Sequence, residues 1–331
     1  MATQTQWIGP HVFRELAPVS ALVETEARPC DLLTGAEWTP AAVRELYHLA
    51  ADVKAHPERY RAALAGRSVA LIFEKPSLRT RVTFEVGVHN LGGNPVFMDH
   101  SQARLGERED IRDVARSLQC WVQGIVARTF DQTVLERLAE HAGVPVINAL
   151  TDRFHPCQAL ADFFTLEERF GGLRGLSMAY VGDGNNMCHS LMLAAAQLGV
   201  HFRVATPAGY CPDSRVVALA RSIARETGGR IQVLTEPGEA VDGAQAVYTD
   251  VWVSMGQERE SAEREQAFAG YQVTEQLMGL ASPRAVFMHC LPAHRGSEVA
   301  AAVIDSAQSI IYRQAENRLH VQNAILLTLL D

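Results

Sequence analysis

The sequence predicts an α/β protein made of two similar units with parallel sheets, on three observations. Short apolar runs alternate with stretches of helical period along the whole 331-residue chain. The alternation runs from residue 68 to residue 149 and restarts at residue 176, too long a period for a short internal repeat. Dense polar stretches follow the apolar runs, and ligands of open parallel sheets bind beyond the carboxyl ends of their strands.

In the first unit "SVALIF" (68–73) is a continuous apolar run of strand length. A helix follows Arg79, with Phe84, Val88 and Leu91 at helical spacing and a Gly pair to stop it. Next come "NPVFMD", a helix over 109–118, "GIVAR", a helix over "TVLERLAEHA" and "VPVINA". Residues 155–170 form a helix that could join the units, with Pro156 suited to its first turn. The second unit reads as strands "LSMAYV", "HFRVATP", "IQVLT", "AVYTDV", "RAVFMHC" and "SIIYRQ", with helices over "SLMLAAAQLG" and "VVALARSIARET". The last helix, "AENRLHVQNAILLTLL", is apolar enough that it must bury a face.

Composition narrows the function. A hydrophobic content of 47% with 21% charged residues is that of a folded globular chain. The net charge of −8 argues against a general nucleic-acid binder, which needs a basic excess, but a local arginine cluster can still hold a small anion. Only Lys54 and Lys75 are lysines, so the number of arginines carries no functional weight while their positions can. No apolar run reaches the ~18 residues of a membrane span, and the first residues lack a targeting pattern, so a cytoplasmic protein is expected. Cys30, Cys120, Cys157, Cys188, Cys211 and Cys290 are scattered without a C-x-x-C, so neither a zinc site nor a disulfide framework is expected.

At the first strand end, "KPSLRTR" brings Ser77, Arg79, Thr80 and Arg81 together where a helix begins. Unpaired N–H groups and the positive end of the helix dipole already favour an anion there, and these side chains add donors. The plainer alternative, Ser77 as an N-cap beside solvated arginines, leaves the density of donors unexplained. The later strand ends carry "DHSQARLGE", Arg128, "GDGNNMCHS", "DVWVSMGQE" and "HCLPAHRG", polar sets of different chemistry that converge on one cleft. His155 and Gln158 lie one helical turn apart, and a donor His with a Gln amide could polarise a carbonyl oxygen. "GDGNNM" lacks the third glycine of a dinucleotide fingerprint, and its paired amides suit a carboxylate or amine better. The charged run after Gly256 is either a surface helix or a mobile lid.

Taken together, S-L-R-T-R (77–81), H-P-C-Q (155–158), D-V-W-V-S-M-G (250–256) and H-C-L-P (289–292) resemble the carbamoyltransferase family. The last two look like its ornithine-specific branch, and the motifs run in family order over nearly the whole chain. The resemblance implies two three-layer α/β domains joined by interdomain helices. Residues 1–150 would bind carbamoyl phosphate and 151–315 L-ornithine, with the terminal helix 316–331 packing back on the first. It implies no cofactor or metal, and a homotrimer, or a multiple of trimers, whose sites are shared between subunits. Ser77, Leu78, Arg79, Thr80, Gln102 (lent by a neighbouring subunit), Arg128, His155, Gln158 and Arg318 would contact carbamoyl phosphate. Asn186, Asp250, Ser254, Met255, Cys290 and Leu291 would contact ornithine, with Arg128, His155, Asp250 and Cys290 as catalytic residues. Leu78 departs from the family's usual Thr, so only its backbone can serve. Two alternatives stand beside this reading: a carbamoyltransferase for putrescine or an N-acylated ornithine, and a non-catalytic anion-binding homologue.

Overall fold

A computed structural model describes residues 30–254 and 258–330. The N-terminal stretch and Met255 therefore lie outside the described residues. The first unit holds β1 (Ser68–Phe73), β2 (Asn94–Asp99), β3 (Gly124–Arg128) and β4 (Val146–Leu150), with helices α1 (Pro40–Ala55), α2 (Arg79–Asn90), α3 (Ile111–Leu118) and α4 (Gln132–His141). Helix α5 (Pro156–Phe170) leads to the second unit, with β5 (Ser177–Val181), β6 (His201–Ala205), β7 (Arg230–Leu234), β8 (Ala246–Thr249) and β9 (Val286–His289). Its helices are α6 (Asn186–Gln197), α7 (Ser214–Thr227), α8 (Pro237–Val241), α9 (Ser261–Ala267), α10 (Glu275–Met278), α11 (Ala301–Ile304) and α12 (Ile311–Leu330). Every strand pairing is parallel, in the orders β2-β1-β3-β4 and β7-β6-β5-β8-β9.

Alternation along each strand sorts the side chains into layers. Val69, Leu71 and Phe73 of β1 face one core, while Ala70 and Ile72 face another, shared with residues of α3 and α4. In the second sheet Met178 and Tyr180 join the first core, while Ala179 and Val181 join a third. One apolar core thus runs through both units, and α12 lies against α1, α2 and α5 at its centre.

One predicted strand is absent. "SIIYRQ" was expected to be extended, but α12 starts at Ile311, and only Ser309 makes an isolated bridge, to Phe287. Its β-branched start suggested a strand, yet Ile311, Gln314, Arg318 and Val321 are buried at helical spacing.

Candidate active site

In both sheets the winding changes direction, between β1 and β3 and between β5 and β8. Such switch points open a crevice at the strand ends. Here the two crevices face each other across a single cleft of about 1370 Å³. Glu74 fastens the rim of the first, because its carboxylate accepts from Leu105 N–H and Phe130 N–H, each at 2.8 Å. The loops after β1, β2 and β3 are thereby held together.

The first crevice is cationic. Leu78 stands at the N-cap of α2 with no side-chain cap, so the hydroxyl of Ser77 is not used for capping. Ser77, Leu78, Arg79 and Thr80 all line the cleft. Arg128 comes from the end of β3 and Arg318 from α12, and both are buried with Nε unpartnered. Arg318 also donates to Thr80 Oγ1. No carboxylate forms an ion pair with Arg79, Arg128 or Arg318 among the described residues. Burial, then Arg318 and Arg79, pushes Arg128 down to about 10. Burial and Arg79 likewise push Arg318 down to about 10. Like charges crowded away from water call for an anion between them.

His155 caps α5, and its backbone N–H donates to Ser190 Oγ at 2.7 Å. Burial, together with the three arginines, pushes its imidazole well below the ordinary value, so the ring is neutral. Its Nδ1 is buried without a partner. Gln158 donates one Nε2–H to Asp162 Oδ1 at 2.8 Å, which leaves its second N–H and its Oε1 free of that contact. Lys75, absent from the predicted set, also lines this end; burial and Arg128 push its amine down to about 8, and it lies 4.3 Å from the Phe130 ring centroid.

The second crevice carries the opposite charge. Asn185 caps α6 through its Oδ1 and donates Nδ2–H to Asp250 Oδ2 at 2.9 Å. The thiol of Cys290 donates to Asp250 Oδ1 at 3.0 Å. Burial and Asp250 push that thiol well above its ordinary value, so it stays protonated. Asn186 donates Nδ2–H to the Thr151 carbonyl at 2.6 Å, tying α6 to the end of β4. Leu291 has φ 58°, and its N–H donates to Nδ1 of His289, whose Nε2 lies 3.3 Å from Glu298 Oε1. Gly184 must be glycine, because a Cβ there would lie 2.2 Å from Pro212 N. Asp250, His289 and Cys290 bring ligand-type atoms within 4.8 Å of one another, but each is engaged inside the fold as just described.

The cleft thus collects the predicted residues except two: Met255, outside the described residues, and Gln102, on the exposed loop after β2 and away from the cleft lining. Arg264 was missed. It is buried in a strongly charged stretch, donating to Asp183 Oδ2 at 2.8 Å and the Trp252 carbonyl at 3.0 Å. The one available signal was Asp183 itself, an acid placed at a strand end between two glycines.

A cationic well at one switch point, opposite a carboxylate and a thiol at the other, defines a two-substrate transferase with an anionic donor. Residues 30–168 match the carbamoyl-P binding domain of aspartate/ornithine carbamoyltransferase, and residues 174–329 match its Asp/Orn binding domain. The chain belongs to the aspartate/ornithine carbamoyltransferase family. It is 51% identical over 293 residues to an ornithine carbamoyltransferase of Shewanella oneidensis, covering 88% of this chain and 97% of that one. The structure resembles that of ornithine carbamoyltransferase from Pyrococcus furiosus, with a TM-score of 0.88 and 46% identity over 91% of this chain and 96% of that one. It also resembles an anabolic ornithine carbamoyltransferase from Campylobacter jejuni, with a TM-score of 0.86 and 34% identity over 91% of this chain and 99% of that one.

Proposed function

We propose that this enzyme transfers the carbamoyl group of carbamoyl phosphate to the side-chain amine of L-ornithine, giving L-citrulline and phosphate. The observation that carries the reading is the trio Arg79, Arg128 and Arg318, buried or half-buried without a carboxylate partner among the described residues, facing Asp250 and Cys290 across one cleft. The phosphate binds to the first turn of α2 and the three guanidiniums. Asp250 meets the α-ammonium of ornithine, the cation that justifies a buried carboxylate there. Free in solution, the side-chain amine has a lysine-like pKa of about 10.4, so the dry, cation-rich cleft must favour its neutral form. The amine nitrogen attacks the carbonyl carbon, the bond from carbon to the phosphate oxygen breaks, and the departing phosphate takes the amine proton. Arg128, neutral His155 and Thr80 stabilise the oxyanion formed on the way. Cys290 acts as a thiol beside Asp250 and not as a nucleophile.

The reading extends to a trimer-based assembly. Leu78, Val82 and Val86 follow one face of α2, and Val96 lies on the neighbouring edge strand β2, all exposed. A contiguous apolar face beside an open sheet edge marks a protein contact, and Gln102 lies on the loop beyond β2. Val82→Glu should break the assembly, read by light scattering; an unchanged mass would refute this interface. Further support comes from six free cysteines, which suit the cytoplasm. The likeness to the anabolic Campylobacter jejuni enzyme favours the biosynthetic direction, toward arginine. The test of function is citrulline formation with a panel of amines. L-Ornithine should exceed putrescine and N-acetylornithine by on the order of a thousandfold in kcat/KM, because either competitor leaves a buried charge or amide unmatched. Comparable values for ornithine and N-acetylornithine would refute the substrate.

A further inference from the structure

The two ends of a glutamine amide have nearly the same shape, so hydrogen-bond partners decide which end faces a ligand. For Gln158 the deciding partner is Asp162, one helical turn further along α5 and fully buried. Asp162 Oδ1 accepts from Gln158 Nε2 at 2.8 Å and from Gln314 Nε2 at 2.9 Å, and its Oδ2 accepts from the Tyr248 hydroxyl at 2.9 Å. The polarity of Gln314 is set in turn from its far side, because its Oε1 accepts the backbone N–H of His289 at 3.0 Å, a group that can only donate. Asp162 is therefore surrounded by donors, and Gln158 must turn an N–H toward it. What remains is Gln158 Oε1, buried and without a partner, on a side chain in the wall of the cleft.

An unpaired buried carbonyl oxygen leaves the site incomplete until a ligand supplies a donor. The carbonyl and phosphate oxygens of the carbamoyl donor accept from the arginines; its –NH2 is the group with protons to give. We infer that Asp162 is the positioning residue that holds Gln158 as an acceptor, and so makes the cleft select an acyl phosphate bearing –NH2 over one bearing a methyl group. The inference rests on the carbamoyl phosphate reading above. Through Gln314 and His289 the same carboxylate is tied to the strand end that carries Cys290, so one buried acid links the two subsites.

In Asp162→Leu no acceptor is left opposite Gln158. Gln158 can then reverse and turn its N–H groups to the ligand. Dissociation constants for carbamoyl phosphate, acetyl phosphate and inorganic phosphate should be measured by calorimetry on the wild type and this variant. The wild type should prefer carbamoyl over acetyl phosphate by at least ~10-fold, as expected when a polar group is left unmatched. The variant should lose ~10- to 100-fold for carbamoyl phosphate while acetyl and inorganic phosphate stay within ~3-fold. Gln314→Met, which leaves the contact between Gln158 and Asp162 in place, should keep the preference. If Asp162→Leu fails to fold, Gln158→Met asks the question from the other end and should collapse the same ratio. Equal weakening of all three ligands, or an unchanged ratio, would overturn the assignment. A wild type that makes citrulline yet binds acetyl phosphate as tightly overturns this inference alone; a wild type that makes no citrulline overturns the reading beneath it as well.

Discussion

Replacing Arg128 by methionine should make the unliganded protein more stable and its phosphate affinity worse. Burial, with Arg318 and Arg79 next, moves this guanidinium from its ordinary value to about 10. Its charged form is thus less stable in the fold than in the unfolded chain by about 3 kcal/mol. Because the folded value is the lower one, that penalty holds at any pH below about 10 and is relieved only as pH rises through it toward the unfolded value. Methionine has a similar reach and carries no charge, so the penalty goes, offset in part by imperfect packing of the new side chain. A net gain of about 1–2 kcal/mol remains, or about 1–3 °C in Tm at ~2.1 cal/mol/K per residue. Losing one charge-assisted contact should weaken inorganic phosphate by ~10- to 100-fold. Scanning calorimetry with and without phosphate reads both effects: the variant should melt higher alone and gain less from the anion. A variant that melts lower without phosphate, or gains as much from it as the wild type, would refute the cationic well.

Other expectations follow from neighbouring features. Gly184→Ala should cost about 1–3 kcal/mol, because the backbone at Pro212 must move; kcat/KM for ornithine should fall with phosphate affinity unchanged, measured by steady-state kinetics and calorimetry. Arg264→Met strands buried Asp183 and should cost about 3–5 kcal/mol in urea unfolding. Burial holds the Asp162 carboxyl at about 6, above its unfolded value of 3.8. Its contribution to stability is therefore complete below about 4 and is lost as pH rises to about 6, by about 3 kcal/mol. Asp162→Asn should lack that slope when unfolding free energies are compared across this range.

The alternation of strands and helices was legible because the inner strands β1, β3 and β5 are buried on both faces and read as apolar runs. Arg79 and Thr80 were legible as anion donors because strand, turn and helix are contiguous in sequence. The start of α12 was not, since Ile310 and Ile311 have strand propensity and only packing against α1, α2 and α5 overrides it. The polarity of Gln158 was hidden for a related reason: Tyr248 and Gln314, which force Asp162 to accept, lie 86 and 152 residues from it. Arg264 looked solvated because its partner Asp183 is 81 residues away.

The placement of α12 bears on how the chain is made. The helix closes the core against α1, α2 and α5, yet it leaves the ribosome after every strand of both sheets. Throughout synthesis the first unit holds its sheet with an open apolar trough, the kind of surface that recruits chaperones or aggregates. Folding in order from the N-terminus can form the strands of the first unit but cannot complete its core. A truncation or frameshift near residue 310 would therefore damage the phosphate site at the opposite end of the sequence, by removing Arg318 and the wall on which α2 rests.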